Sequence, residues 1–277
     1  MFWFDGALHE TSIAPVDLTD RGLTLGDGLF DTSLARNGRS FLRAAHLARL
    51  FVSAEALGIP CDPAAVAAAL DALAGAIGAG SIRLTLTRGG GARGLGLPQT
   101  PKPFLFGAAF ANPPAPFPVI SVATSAIRRN ETSPAANLKA LPYLDAILAL
   151  RETAAKGADD VLFENMAGHI ACLSVANIFA IFGAQLVTPP LSDGALAGTI
   201  RALILARAAG FGLTPEERSL TRAELLRADA VFATNSLRLL APCRMIDDVA
   251  FASADHAGVK ALQALLAEAM TAECGRL

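Results

Sequence analysis

The chain has 277 residues, of which 53% are hydrophobic and 17% charged, with a formal net charge of -2 and a mean hydropathy of +0.45. That length suits one large domain or two smaller ones. The mixed charges leave no basic stripe for nucleic acid, and no apolar run approaches the ~18 residues of a membrane helix.

The opening "MFWFDGALHE" puts no basic region ahead of an apolar core, so we expect no secretory signal and a cytoplasmic protein. The cysteines Cys61, Cys172, Cys243 and Cys274 and the histidines His9, His46, His169 and His256 are scattered. No metal site is expected from them.

In chain order, "FWFDGAL" reads as a strand entering a turn, and "LFDTSLA" (29–35) as a half-buried strand closed by the hairpin signal "RNGR". Leu47, Leu50, Phe51, Ala54 and Leu57 recur at helical spacing and Gly58 stops that helix. "DPAAVAAALDALAGAI" predicts a second helix with Asp62 as N-cap and Pro63 at its first position. Residues 81–89 and 103–111 read as strands separated by the loop "GGGARGLGLP". The proline-rich 113–118 is a linker candidate, dividing a domain over 1–112 from one over 119–277.

Beyond it, "VISVATSA" is a strand. A helix is expected to begin near Leu141, because Pro142 suits only a first turn. "DDVLFE", "HIACLS" and "NIFAIF" are short strands, and "GTIRALILARAAGFG" is a helix ending in glycine. "LTRAELLRA" is a short helix in which Thr221 and Glu224 form a capping box. "AVFATNS" is a strand running into a loop, and a closing helix follows.

Three features suit an anion. The turn "DGALAG" delivers a helix start at Thr199 and Ile200, whose first N–H groups lack internal partners. Ser236 lies at the end of a strand, and Arg49 offers a guanidinium on a helix face. Each also has an ordinary structural reading as helix start, turn or solvated arginine. Lys139, one of four lysines, stands in the mostly apolar "NLKALPYLDA". Local pattern leaves it open whether it reaches water or is deliberately buried. Together these features suggest pyridoxal 5'-phosphate, which needs a Schiff-base lysine and a phosphate cradle.

The segments "DRGLTLGDGLFDT", "HLARL", "IRLTLTRGGGARG", "NLKALPYLDAILA", "GADDVLFENMAGHI", "ANIFAI", "LVTPPLSDGALAGTIR" and "ADAVFATNSLRLLAPC" resemble, in order and spacing, the fold-type IV pyridoxal-phosphate enzymes of the class IV aminotransferase family. That family includes branched-chain and D-amino acid transaminases and aminodeoxychorismate lyase. The resemblance implies an α+β, two-domain chain: a small N-terminal α/β domain and a larger C-terminal, β-barrel-like domain with helices. It also implies that the cofactor lies between them, in a homodimer acting on a small amino substrate.

By the same resemblance Lys139 is the Schiff-base lysine, and Arg49, Thr199, Ile200 and Ser236 are phosphate contacts. The family more often reads Gly-Ile-Thr where this chain has Gly198, Thr199 and Ile200. Counting back from Asn177, Ile178 and Phe179, the family's glutamate facing the pyridine nitrogen falls on Cys172, with Glu164 a poor substitute.

A neutral thiol would leave that nitrogen mostly unprotonated and weaken the electron sink. Such a sink disfavours transamination more than a prompt elimination, so Cys172 permits a lyase. The alternative is a paralogue of weak or altered activity. "TNS" (234–236), including Asn235, looks like the lyase branch. On the substrate side the candidates are Phe30 and Thr32, Arg93 in its glycine-rich loop, Tyr143 and Asn235. Leu95 stands where D-amino acid transaminases carry a polar residue. The expected activity is therefore an aminodeoxychorismate-type elimination giving pyruvate and 4-aminobenzoate, with a class IV transaminase acting on D-amino acids, branched-chain amino acids or amines as the alternative.

Overall fold

Alternating residues at the N-terminus build one antiparallel sheet. A computed structural model describes residues 1–276. Strands β1 (Phe2–Phe4) and β2 (Ala7–His9) form a hairpin, so the strand and turn expected of the opening segment are followed by a second strand. Asp5 and Gly6 at its tip both take positive φ, as the tight hairpin turn requires. Next come helix α1 (Arg21–Leu25), strands β3 (Gly28–Arg36) and β4 (Arg39–Ser40), helices α2 (Arg43–Leu57) and α3 (Pro63–Ile77), and strands β5 (Gly80–Thr87) and β6 (Phe104–Ala111). The sheet order is β2-β1-β6-β5-β3-β4.

Leu29, Ile82, Leu84 and Leu86 point to one face and pack with Leu47, Leu50, Val66, Leu70 and Leu73 of the two helices. The opposite parity sends Phe30 and Thr85, directly paired in the ladder, to the other face. Asp62 caps α3 through Ala64 N with Pro63 at the helix start, as the sequence predicts.

The remaining chain builds a mixed sheet. Its strands are β7 (Ile120–Thr124), β8 (Asp160–Glu164), β9 (Ile170–Leu173), β10 (Asn177–Phe182), β11 (Gln185–Thr188), β12 (Thr214–Glu217), β13 (Ala230–Asn235), β14 (Leu239–Ile246) and β15 (Val249–Ala250). The order is β12-β11-β10-β13-β14-β7-β8-β9, with β15 on β14. Helices α4 (Leu144–Ala154), α5 (Thr199–Arg207), α6 (Arg222–Leu225) and α7 (Ala257–Cys274) accompany it. Its core joins Ile120, Leu162, Ile178, Val231 and Ala241, all nearly fully buried. Thr221 and Glu224 complete the expected capping box of α6.

Two compact units result. The first comprises Met1–Pro113, Leu138–Pro142 and Met270–Leu277, and the second Pro114–Asn137 and Tyr143–Ala269. The sequence reading draws one crossing at 113–118, whereas the chain crosses more often, because short distant segments complete the first unit. Glu273 illustrates this. Its carboxylate accepts from Leu42 N at 3.1 Å and Arg43 N at 3.2 Å, and so caps α2, whose own Leu42 supplies no side-chain cap. Both units carry helices and strands, which makes the chain α+β. Among the described residues no helix is long and apolar enough to cross a membrane.

Candidate active site

The Lys139 segment is extended, not helical. The sequence reading expects a helix from about Leu141; α4 begins instead at Leu144. Pro142 restricts Leu141 to extended backbone, and a better partner for that backbone lies far away in sequence. Phe30 N donates to Lys139 O at 2.9 Å, and Leu141 N donates to Gly28 O at 3.1 Å. Leu29 and Ala140 form the bridge between these two bonds, so Leu138–Pro142 runs along the edge of β3. Two glycines make room for it. A Cβ on Gly28 would lie 2.8 Å from Leu141 Cδ1, and one on Gly26, at φ +69°, 2.9 Å from Pro142 Cγ.

Pairing opposite Phe30 places Lys139 on the same sheet face. Its Nζ lies 4.4 Å from the centroid of the Phe30 ring. The guanidinium carbon of Arg83, from β5, lies 3.6 Å from the same centroid. Both are cation–π distances. Burial of the amine, with Arg49 and Arg83 nearby, pulls the Lys139 pKa down to about 8, while Asp31 works against them. An amine so placed is partly neutral near physiological pH and can attack a carbonyl carbon.

Arg49 is anchored from the side. Asp31, on β3, accepts from Arg49 Nε at 2.8 Å and Nη2 at 3.0 Å, and its Oδ1 lies 2.6 Å from His46 Nδ1. Asp31 and His46 are buried. The nearby His46 and Arg49 hold the Asp31 carboxyl below its ordinary range against the opposing cost of burial. Arg93, by contrast, is exposed on the loop after β5. That loop is held from beneath by Arg21, which donates to the carbonyls of Gly94, Leu95 and Gly96.

In the second unit the start of α5 has Gly198 as N-cap and no side-chain cap. The Thr199 hydroxyl lies 3.4 Å from that of Ser236, at the end of β13, so the two sequence-distant segments meet. Thr199 is buried and Ile200 is packed inward, which leaves the backbone N–H groups as the polar feature of this helix start. Asn235 Oδ1 accepts from Leu237 N at 3.0 Å and Arg238 N at 2.8 Å, so its carbonyl shapes the turn that presents Ser236.

Cys172 lies on β9 opposite Phe163. Its cluster is Ala146, Ala149, Val161, Phe163 and Ala171, with Tyr143, the residue before α4, packed against it. Burial pushes the thiol above its ordinary pKa, helped by Asp160 and opposed by Arg129. Glu164 is ion-paired with Arg128 at 2.7 Å.

Sequence reasoning singled out Lys139, Arg49 and Phe30 in the first unit and Thr199, Ile200 and Ser236 in the second, and the structure gathers each set. It overlooked Asp31, His46 and Arg83. The spacing His46-x-x-Arg49 on one helix face, with Asp31 on the inward parity of β3, was the available signal.

The chain can now be compared with known proteins. The model of amino-transferase class IV matches residues 28–246. The solved structure of 4-amino-4-deoxychorismate lyase from Pseudomonas aeruginosa is 30% identical with a TM-score of 0.86, covering 100% of both chains. A putative branched-chain-amino-acid aminotransferase of Methanocaldococcus jannaschii is 29% identical, over 88% of this chain and 87% of its own. A bifunctional aminodeoxychorismate lyase / D-amino acid transaminase of Mycobacterium tuberculosis is 28% identical, over 88% and 90%. With a family match over most of its length and a full-length structural likeness, the chain belongs to the class IV aminotransferase family of pyridoxal-phosphate enzymes.

Proposed function

We propose that this enzyme is a lyase of the aminodeoxychorismate type, releasing pyruvate and leaving 4-aminobenzoate. The observation that carries the reading is Cys172. Where the family resemblance implies a carboxylate at the pyridine nitrogen, this chain has a thiol that its apolar cluster keeps neutral.

The residues present fit the cofactor. Lys139 offers an amine of lowered pKa for its aldehyde. In the second unit the uncapped start of α5, with Thr199 and Ser236 adjoining, offers donors that suit a phosphate, and in the first unit Arg49 offers a fixed guanidinium; the family resemblance implies that both serve the cofactor. When bound, pyridoxal phosphate supplies conjugation that draws electrons from the carbon bearing the substrate amine.

Lys139 would take the proton from that carbon, the ring C–O ether bond would break as the ring becomes aromatic, and the expelled enolpyruvate would take up a proton to become pyruvate. Aromatisation lowers the demand on the electron sink, which a neutral thiol at Cys172 leaves weak. Phe30 presents a flat apolar face beside the Lys139 amine, and Arg83 adds positive charge there for an anionic substrate. The family resemblance implies that Arg93, Tyr143 and Asn235 also serve the substrate side. The family resemblance supports a homodimer.

The test supplies purified holoenzyme with aminodeoxychorismate, or with amino acid and keto acid. Pyruvate and 4-aminobenzoate appearing together in equal amounts are expected. Amino-group exchange without 4-aminobenzoate sinks the lyase and leaves the transaminase. Sedimentation velocity at micromolar protein reads the dimer.

A further inference from the structure

Asp31 is buried beneath the sheet, yet its carboxylate is the meeting point of two side chains from α2. One is the bidentate Arg49, with Nε at 2.8 Å and Nη2 at 3.0 Å. The other is His46, with Nδ1 at 2.6 Å. A bidentate pair fixes the guanidinium plane as well as its distance. His46 is buried, with apolar Leu47, Leu50 and Leu70 lining the same small cavity, and its Nδ1 shares the Asp31 Oδ1 with Arg49 Nη2, 3.3 Å away, so the ring fixes the oxygen on which one arm of the guanidinium rests.

The charged groups acting on the Lys139 amine are Arg49 from α2, Arg83 from β5 and Asp31 from β3. Asp31 is the only negative one of the three, and on β3 it directly follows Phe30, whose N–H donates to the Lys139 carbonyl at 2.9 Å.

We propose that Asp31 is a positioning residue with two effects: with His46 it fixes the guanidinium of Arg49 toward the cofactor phosphate, and it supplies the negative charge that offsets Arg49 and Arg83 at Lys139. The first effect rests on the reading of Arg49 as a phosphate ligand; the second does not. A structural prop alone would not alter the titration of an amine on another segment, so the two effects separate positioning from mere support.

The experiment uses full-length protein stripped of cofactor. Pyridoxal phosphate is titrated back by its absorbance, and the reactivity of Lys139 toward acetic anhydride is followed against pH by mass spectrometry. Asp31→Asn keeps the shape and removes the charge. It should weaken cofactor binding about tenfold and move the Lys139 midpoint below that of the parent, whereas Arg49→Gln should move it above. The double variant should bind no more weakly than Arg49→Gln alone. His46→Leu should weaken binding in the same direction, and His46→Asn, which keeps a donor near the Nδ1 place, should restore it.

If Arg49→Gln binds like the parent, the phosphate reading of Arg49 and the first effect fall together, and the Lys139 midpoint alone then decides the second. If Arg49→Gln weakens binding while Asp31→Asn changes neither affinity nor midpoint, the proposal is overturned with the phosphate reading intact. Should Asp31→Asn fail to fold, the His46 pair decides: equal affinity in His46→Leu and the parent overturns the positioning of Arg49.

Discussion

Lys139 and Cys172 acquire their chemistry by opposite means. Lys139 is placed by backbone pairing to the start of β3 and then surrounded by Arg49, Arg83 and Asp31. Cys172 is placed on β9, the last strand of the second sheet's order, and surrounded by carbon, with its nearest charges acting only from a distance. The first site is tuned by single charges and can be moved in either direction by exchanging one. The second can be changed only by bringing a charge into a place that solvates none. One position is therefore adjustable and the other resistant, and each prediction below strains that contrast.

The largest effect is expected at Lys139 itself. Lys139→Met removes both the covalent attachment and the base, and turnover should fall roughly 10³-fold. Reduction with borohydride should then leave no cofactor mass on the chain. A variant that still carries the reduced cofactor would assign the attachment to another lysine, of which Lys102, Lys156 and Lys260 remain.

Next comes Cys172→Glu. A carboxylate in that apolar cluster should cost the cofactor-free protein about 3 kcal/mol, read as a lowered Tm. Bound cofactor should recover part of the loss, if the new charge meets the ring nitrogen. Transamination should rise on the order of tenfold, the effect of about 1.4 kcal/mol on the barrier. An unchanged transamination rate in a folded variant would break the electron-sink argument.

Gly28→Leu tests the placement of Lys139 rather than its charge. The added side chain would collide with Leu141 and the Leu86 carbonyl and push Leu138–Pro142 from the strand edge. A loss of about 1–3 kcal/mol is expected, together with a Lys139 midpoint returning toward the ordinary lysine value as the amine regains water. Stability lost without any change in that midpoint would mean that the pairing does not set the environment of the amine.

This placement also marks where the sequence ceases to be legible. Periodicity and caps are local, so α2, α3 and the capping box of α6 could be read directly. The hairpin at Asn37-Gly38, which joins β3 to β4, was legible for the same reason. Leu138–Pro142 was misread as a helix start because its hydrogen-bond partner is β3, more than a hundred residues earlier, and nothing local distinguishes an edge segment ending in proline from a first helical turn. Strands β11, β12 and β14 escaped notice for a related reason: none alternates apolar and polar residues along its length, and only their neighbours in the sheet identify them. Of the site, the residue types that bond a cofactor stood out. Asp31 and His46, whose effect passes through Arg49, looked like ordinary members of a strand and a helix.

The smallest expected effect is on stability against pH, and it sets the two positions against each other in sign. Lys139 titrates at about 8 in the folded chain and at 10.5 when exposed. Between those values the unfolded chain binds the extra proton, so this residue makes the fold more stable as pH rises from about 8 to 10.5. Cys172 is shifted the other way, above its ordinary 9.0. Above that pH the unfolded chain loses a proton the folded one keeps, and stability falls. Lys139 retains some solvent contact, so its share should be no more than a degree or two of Tm. Difference curves isolate the two: parent minus Lys139→Met should climb across the alkaline window, and parent minus Cys172→Ala should descend. Two slopes of the same sign would mean that one site does not have the surroundings described, and the variant whose curve runs against its expected sign would show which.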